Sequence, residues 1–421
     1  MDWKIANLKN SMQVIHKQKS EYYSVSIGIL VRSGSRYETP NYAGISHFVE
    51  HLVFKGTKSR SARELKESIE GKGGSFNAFT SEEVICFYVK ILEPHLETGI
   101  DILSDMIKNP LFNPEEINKE RNVIIEEINM YRDFPARYVF ELLNNAMFGD
   151  HPLGTSILGT PESLRNINRE TLFNFVENYH TGKNLVLSVA GRFNEDKLIK
   201  IADKFLSNIK EGTDTSFVRF EEKMKTPSYK IKIKETEQCH FCLGFHAYPR
   251  NDDRRFALSV ANMILGGNMS SRLFNEIREN RGLAYDIRSY ARSYYDTGAA
   301  IISAGLIPAN LIESLKIIKE QIRIMIEQQV KEDEIERAKE YLVSQFLMGL
   351  EDPMEYMLWI GEQLAAKEKM LSINEVQQRI RAVTGKDIQD VCKDIFEKNP
   401  CFAMIGPENK LDEVSKILED K

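Results

Sequence analysis

Cysteine is scarce: the chain has five in 421 residues. So few, and an odd number, argue against a disulfide framework and fit a reducing cytosol. No apolar run reaches the roughly 20 residues that a helix needs to cross a bilayer. Met1 to Asn7 lacks a long apolar stretch behind a basic start, so no secretory signal peptide is expected. These absences predict a cytoplasmic protein without a membrane partner. Basic charge is missing in bulk as well. A formal charge of -6 and a pI near 5.9 offer no general attraction for nucleic acid or anionic lipid. A local basic pocket remains possible. Gly266-Gly267-Asn268-Met269-Ser270 has neither the lysine nor the spacing of a phosphate-binding loop. It reads as a turn whose serine caps the next helix, and nucleotide binding is rejected.

What is present centres on Gly44-Ile45-Ser46-His47-Phe48-Val49-Glu50-His51-Leu52-Val53-Phe54-Lys55-Gly56. The pattern predicts one short helix ending at Gly56. His47 and His51 stand one turn apart with Glu50 on the same face, while Phe48, Val49, Leu52 and Val53 form an apolar side. Two neutral imidazoles at this spacing can share one Zn²⁺. Glu50 is then placed to take a proton from water. Two surface histidines and a solvated glutamate would give the same letters. A third ligand is sought in the run from Lys119 to Ile128, which follows Pro114 at a plausible first helical position. Glu120 and Glu127 fall two turns apart on nearly one line, and Glu126 points about 100° away from Glu127. Either Glu120 or Glu127 could complete a His₂Glu site, the other supporting a ligand; all three could equally solvate the helix.

The chain resembles the inverzincin, pitrilysin-type metallopeptidases, in particular the short processing-peptidase-like proteins and the beta subunit of mitochondrial processing peptidase. The resemblance rests on Ala43 to His51 with Phe54-Lys55-Gly56-Thr57, on Gly73-Gly74-Ser75-Phe76-Asn77-Ala78, and on Glu120 to Glu127. His151-Pro152-Leu153-Gly154, Leu265 to Phe274 and Arg281-Gly282-Leu283-Ala284-Tyr285 extend it over essentially the whole chain. It implies His47, His51 and Glu127 as ligands of one Zn²⁺ per chain, Glu50 as the catalytic base and Glu120 as the supporting carboxylate. It also implies that Arg278 and Tyr285 reach the scissile peptide. Arg278 would orient backbone carbonyls and Tyr285 would stabilise the developing oxyanion. Spacing alone assigns Arg278 to a surface ion pair and Tyr285 to packing. Asn77 lies on an expected strand and could hold substrate backbone or satisfy a turn; in the relatives this edge faces substrate.

Along the chain, strands are expected at 23–31, 75–80, 84–89 and 185–190, with helices at 65–71, 136–148, 167–179 and 198–209. Met130 to Phe134 reads as a polar break. His95 reads as a helix-start residue, and His151 as structural. Cys239-His240-Phe241-Cys242 reads as packed strand, since no second CxxC accompanies it. Helices at 371–380, 386–396 and 411–418 around a strand at 401–405 repeat the end of the first half. The repeat predicts two homologous α+β domains, each an α/β sandwich with a mostly antiparallel sheet covered on one side by helices. The expected boundaries are 1–210 for the zinc-bearing domain, 211–226 for a linker and 227–421 for the homologous domain. The resemblance implies a half-shell of a clamshell homodimer. The function expected is a zinc endopeptidase hydrolysing peptides or unfolded segments in a closed chamber. A non-catalytic structural or chaperone-like relative of processing-peptidase subunits is the alternative.

Overall fold

The computed structural model describes residues 2–222 and 226–419. Part of the expected linker, 223–225, therefore lies outside the described residues. The first half runs β1 (Lys4–Asn7), β2 (Gln13–Gln18), β3 (Ser24–Val31), α1 (Ile45–Val53), α2 (Ala62–Glu70), β4 (Ser75–Thr80) and β5 (Ile85–Leu92). It continues with α3 (Leu96–Lys108), α4 (Pro114–Asp133), α5 (Pro135–Phe148), α6 (Pro161–Asn166), α7 (Arg169–Tyr179), β6 (Leu185–Gly191) and α8 (Glu195–Leu206). The second half runs β7 (Ser228–Ile233), β8 (Cys239–Ala247), α9 (Arg254–Asn262), β9 (Ala284–Ser293), β10 (Gly298–Leu306), α10 (Leu311–Glu327) and α11 (Glu332–Gly349). It ends with α12 (Pro353–Ala365), α13 (Ile373–Ala382), α14 (Gly385–Phe396), β11 (Cys401–Gly406) and α15 (Leu411–Glu419).

The order of elements repeats, and so does the sheet. The first sheet is β1-β2-β6-β3-β5-β4 and the second is β7-β11-β8-β10-β9. With β2 matched to β7 and β6 to β11, the two differ by the added edge strand β1. In each, one pair is parallel, β2 with β6 and β11 with β7; every other pair is antiparallel. The expected break at Met130 is absent. α4 runs on to Asp133, and Phe134 alone leaves the helix before Pro135 starts α5.

Two compact units result. One comprises the chain to Ile128, Ser156–Val218 and Leu347–Ser372; the other comprises Asn129–Thr155, Arg219–Phe346 and Ile373 onward. Each unit thus takes a helix from the opposite half of the sequence. α12 packs on β3 and β6, and α5 packs on β8 and β11. In the first unit Ile27, Ile29, Phe87, Val89, Leu187 and Val189 point into the core shared with α1, α3, α7 and α8. The alternate residues face α12. Gly28 leaves room for Met357, whose sulfur would lie 2.4 Å from a Cβ at that position. Ser188 Oγ donates to the Met357 carbonyl at 2.6 Å, and Arg32 donates to the Leu364 and Ala365 carbonyls that end α12. In the second unit Leu143 and Met147 of α5 cover one face at Gly244, and Phe245 meets Phe396 of α14 on the other at 5.1 Å. The expectation of helices on one side is therefore corrected: both sheets are covered on both faces. All five cysteines are buried thiols, Cys239 and Cys242 among them on β8. Among the described residues no helix is long and apolar enough to cross a membrane.

One buried group links this core to pH. His180, just after α7, donates from Nδ1 to the Ile107 carbonyl at 2.9 Å, and burial holds its pKa down to about 4. Below its ordinary value near 6.5 the unfolded chain binds a proton that the folded chain refuses, so stability present at pH 7 erodes as the pH falls towards 4. This group should cost about 2 kcal/mol between pH 7 and pH 5. Urea titrations of the native protein and His180→Gln at both values should show the smaller pH loss in the variant; equal losses would refute the assignment.

Candidate metal centre

α1 is fixed at its N-terminus by its own chain. Gly44 opens it at φ +90°, a left-handed conformation, and a Cβ there would strike the Leu158 carbonyl oxygen at 2.5 Å. The Glu38 carboxylate accepts from the N–H groups of Gly44 and Ser46 at 2.6 and 2.8 Å. That satisfies two orphan donors of the helix, while burial pushes the Glu38 pKa up to about 7 despite those hydrogen bonds. Phe48, Val49, Leu52 and Val53 are buried in the core of the unit. The polar edge is left to meet α4.

Across that edge, Nε2 of His47 and Nε2 of His51 stand 3.8 and 3.7 Å from one oxygen of Glu127. The candidate ligand atoms of these three side chains all lie within 4.8 Å of one another. Zinc bonds of roughly 2.1 Å in a tetrahedron separate ligand atoms by about 3.4 Å. The His–Glu separations thus need to close by only about 0.3–0.4 Å from the observed 3.7 and 3.8 Å. His51 Nδ1 bonds Glu120 Oε2 at 3.1 Å, which places the ring proton on Nδ1 and leaves the Nε2 lone pair facing Glu127. The second Glu120 oxygen is 2.5 Å from Lys55 Nζ. Glu126 is exposed and takes no part.

Burial sets the electrostatics. It holds the His47 pKa down to about 3, with His51 adding to the effect, so the ring is the neutral form that a metal requires. It also raises Glu127 above the ordinary carboxylate range. Glu50 is raised by burial too, although the Thr80 hydrogen bond and His51 pull it back. Thr80 Oγ1 donates to Glu50 Oε2 at 2.6 Å. A poorly solvated Glu127 beside the neutral His47 ring and the His51 imidazole is a donor set that a divalent cation would complete.

Asn77 is exposed on β4, an edge strand of its sheet. Strand alternation puts Phe76, Ala78 and Thr80 towards α1, with Phe76 5.3 Å from Phe54, and turns Asn77 to the opposite face. Its Oδ1 accepts from the Ala78 N–H at 2.9 Å. His95 precedes α3, as expected, and His151 Nδ1 accepts from the Leu153 N–H at 3.2 Å. Arg278 and Tyr285 belong to the other unit and stand together there. The Arg278 guanidinium lies 5.0 Å from the Tyr285 ring centre and 4.7 Å from that of Phe274, on a π-helical turn from Phe274 to Glu279. Tyr285 is 77% exposed at the start of β9. Thr80, Lys55 and Glu38 were not expected at the centre. Lys55 had a signal, since it follows His51 by one further turn. Thr80 and Glu38 had none that is local in sequence.

The family described as "Insulinase (Peptidase family M16)" matches residues 13–161, and "Peptidase M16 inactive domain" matches 166–342. The zinc protease YmxG of Bacillus subtilis is 36% identical over 405 residues, spanning 96% of this chain and 98% of its own. A zinc protease of Rickettsia bellii is 34% identical, over 97% of this chain and 98% of its own. A protease from Helicobacter pylori superposes with a TM-score of 0.90 at 21% identity, covering 96% of this chain and 99% of that one. At such identity the superposition establishes the fold alone.

Proposed function

The chain belongs to peptidase family M16, and on that premise we propose that it is a zinc endopeptidase cutting peptides and unfolded segments inside a closed chamber. The observation that carries this reading is the convergence of the His47, His51 and Glu127 ligand atoms within 4.8 Å beside Glu50. His47, His51 and Glu127 would hold one Zn²⁺ per chain. The chemistry that the bound ion supplies is Lewis acidity: water that loses its proton more readily and a polarised scissile carbonyl. Glu50 takes the proton of the attacking water and returns it to the leaving nitrogen. Burial makes Glu50 a stronger base, and Thr80 occupies Oε2, leaving Oε1 for the proton. Glu120 keeps the His51 ring oriented. Asn77, on an edge whose outer backbone groups suit an added strand, would hold the substrate's main chain.

The alternative of a non-catalytic scaffold is disfavoured by the assembled base and ligands. We propose, on its motif run, that the protein belongs with the short processing-peptidase-like branch. In that arrangement a homodimer sets Arg278 and Tyr285 of one chain against the zinc centre of the other, where they bind and polarise the scissile carbonyl. A cytoplasmic location fits the sparse, buried thiols.

Elemental analysis should find close to one zinc per chain, and His51→Ala should lose metal and peptide hydrolysis together; full occupancy in that variant would sink the ligand assignment. Glu50→Gln should keep its zinc while hydrolysis of an unstructured fluorogenic peptide collapses. Thr80→Val removes one charge-assisted hydrogen bond and should lower kcat by roughly tenfold at unchanged zinc content. Thr80→Ser should restore most of it, and a Val variant with native kcat would discard the role given to Thr80. Mixing Glu50→Gln and Arg278→Ala chains tests the shared site. Each parent homodimer is damaged at both centres, whereas the mixed dimer regains one intact centre. Activity should reappear once subunit exchange is verified, and verified mixed dimers without activity would defeat sharing.

A further inference from the structure

We propose that Lys55 is a positioning residue that decides which glutamate of α4 becomes the metal ligand. This inference rests on the zinc reading above. Two carboxylates, Glu120 and Glu127, lie two turns apart on α4, and both come within 4 Å of the His51 ring. Chemistry alone does not distinguish them as ligands. Their partners do.

On α1, His47, His51 and Lys55 recur every four residues, one helical face. The helix formally ends at Val53, but Phe54 keeps right-handed helical angles and the Lys55 N–H still bonds the Leu52 carbonyl at 3.0 Å. Lys55 therefore stays on the histidine line, one turn beyond His51. Its ammonium lies 2.5 Å from Glu120 Oε1, while His51 Nδ1 takes Glu120 Oε2 at 3.1 Å. Both oxygens of Glu120 are thus engaged, on a side chain that is only 8% exposed. Glu127 is more open, at 24%, and turns Oε2 towards both imidazole Nε2 atoms.

Removing the ammonium would leave Glu120 Oε1 poorly solvated and without its cation. The nearest replacement positive charge would be the metal itself. Glu120 would then swing from its supporting position, releasing the His51 Nδ1 proton contact and competing with Glu127 for the ion. Lys55 prevents this by holding Glu120 back. A purely structural ion pair at the end of α1 would instead lower fold stability and leave the metal's affinity and ligand set alone.

The test uses the full-length protein and zinc itself, with affinity measured by chelator competition. Lys55→Met should weaken zinc binding by about 10- to 100-fold, the range for loss of a group that supports a metal ligand. Lys55→Arg, which keeps charge and reach, should bind within a few-fold of the native protein, by our estimate from the same range. Glu127→Gln should bind poorly, but Lys55→Met added to it should recover affinity, because the freed Glu120 substitutes as ligand. Cobalt substitution reports the change independently, through an altered visible spectrum in Lys55→Met. Native affinity in Lys55→Met, or no recovery in Lys55→Met/Glu127→Gln, would overturn the proposal. If Lys55→Met fails to fold, Lys55→Gln carries the same comparisons. A native protein that binds no zinc would take down the zinc reading and this inference with it, an outcome distinct from zinc bound equally by native and Lys55 variants.

Discussion

The centre depends on the register between α1 and α4. From His47 to Lys55 is eight residues, about 12 Å of helix, and from Glu120 to Glu127 is seven, about 10.5 Å. Laid side by side, the two rows match end to end: His47 and His51 bracket Glu127, and His51 and Lys55 bracket Glu120. A slip of one residue on either helix would turn these side chains by about 100°. What prevents it is packing remote from the chemistry. Phe48, Val49, Leu52 and Val53 on α1 are locked into the same core as Ile117, Ile124 and Ile128 on α4. Glu38 and Gly44 fix where α1 begins, so its rotation is set before a metal ever arrives. The apolar faces choose the register and the polar faces use it.

The same burial prepares the electrostatics in opposite directions for the two kinds of group. It disfavours the charged form of each, which suits His47, since a neutral ring is what donates to a cation. For Glu127 and Glu50 it works against the ionised form, raising both. For Glu127, a divalent cation held with His47 and His51 would supply the counter-charge that burial makes valuable. Thr80 and Lys55 act at the rim of that arrangement. Each satisfies a specific carboxylate oxygen, Thr80 on Glu50 and Lys55 on Glu120.

What could be read in the sequence follows from how local each feature is. The helix carrying His47, Glu50 and His51 was legible because its period is written within nine residues, and Pro114 and the run after it announced α4. The strands around Ile27, Phe87 and Val186 were legible from β-branched runs, and the repeat from the similar endings around Gly191 and Gly406. The exchange of α5 and α12 was not. An amphipathic pattern says that a helix buries one face, not which sheet receives it, and Met357 meets Gly28 across more than 300 residues of chain. The supposed break at Met130 failed for a related reason. Met130 and Phe134 are exposed; polarity around Met130 marked a solvated helix, and the interruption falls at Phe134 alone. Thr80 escaped because its meaning lies in a strand passing a helix, whereas Lys55 was within reach of the same i, i+4 argument that found His51.

The duplicated architecture clarifies why one unit can carry this centre and the other need not. Both sheets keep the same strand order with a single parallel pair in the same place, and that order is enforced by interior residues such as Ile27, Ile29, Phe241 and Phe402. Of the candidate ligands only His47 belongs to that buried set; His47 and His51 lie on one polar edge of α1, and Glu127 lies on α4. The second-unit element at the same point in the order is α9, Arg254–Asn262, which buries Phe256, Leu258 and Val260 without a histidine or glutamate in the helix. The fold therefore tolerates an empty edge there, because burying the apolar face is all that the sheet requires. Where α2 stands in the first half, the second half has instead the turn bearing Arg278, next to β9 and Tyr285. One scaffold, repeated, thus presents two different polar edges.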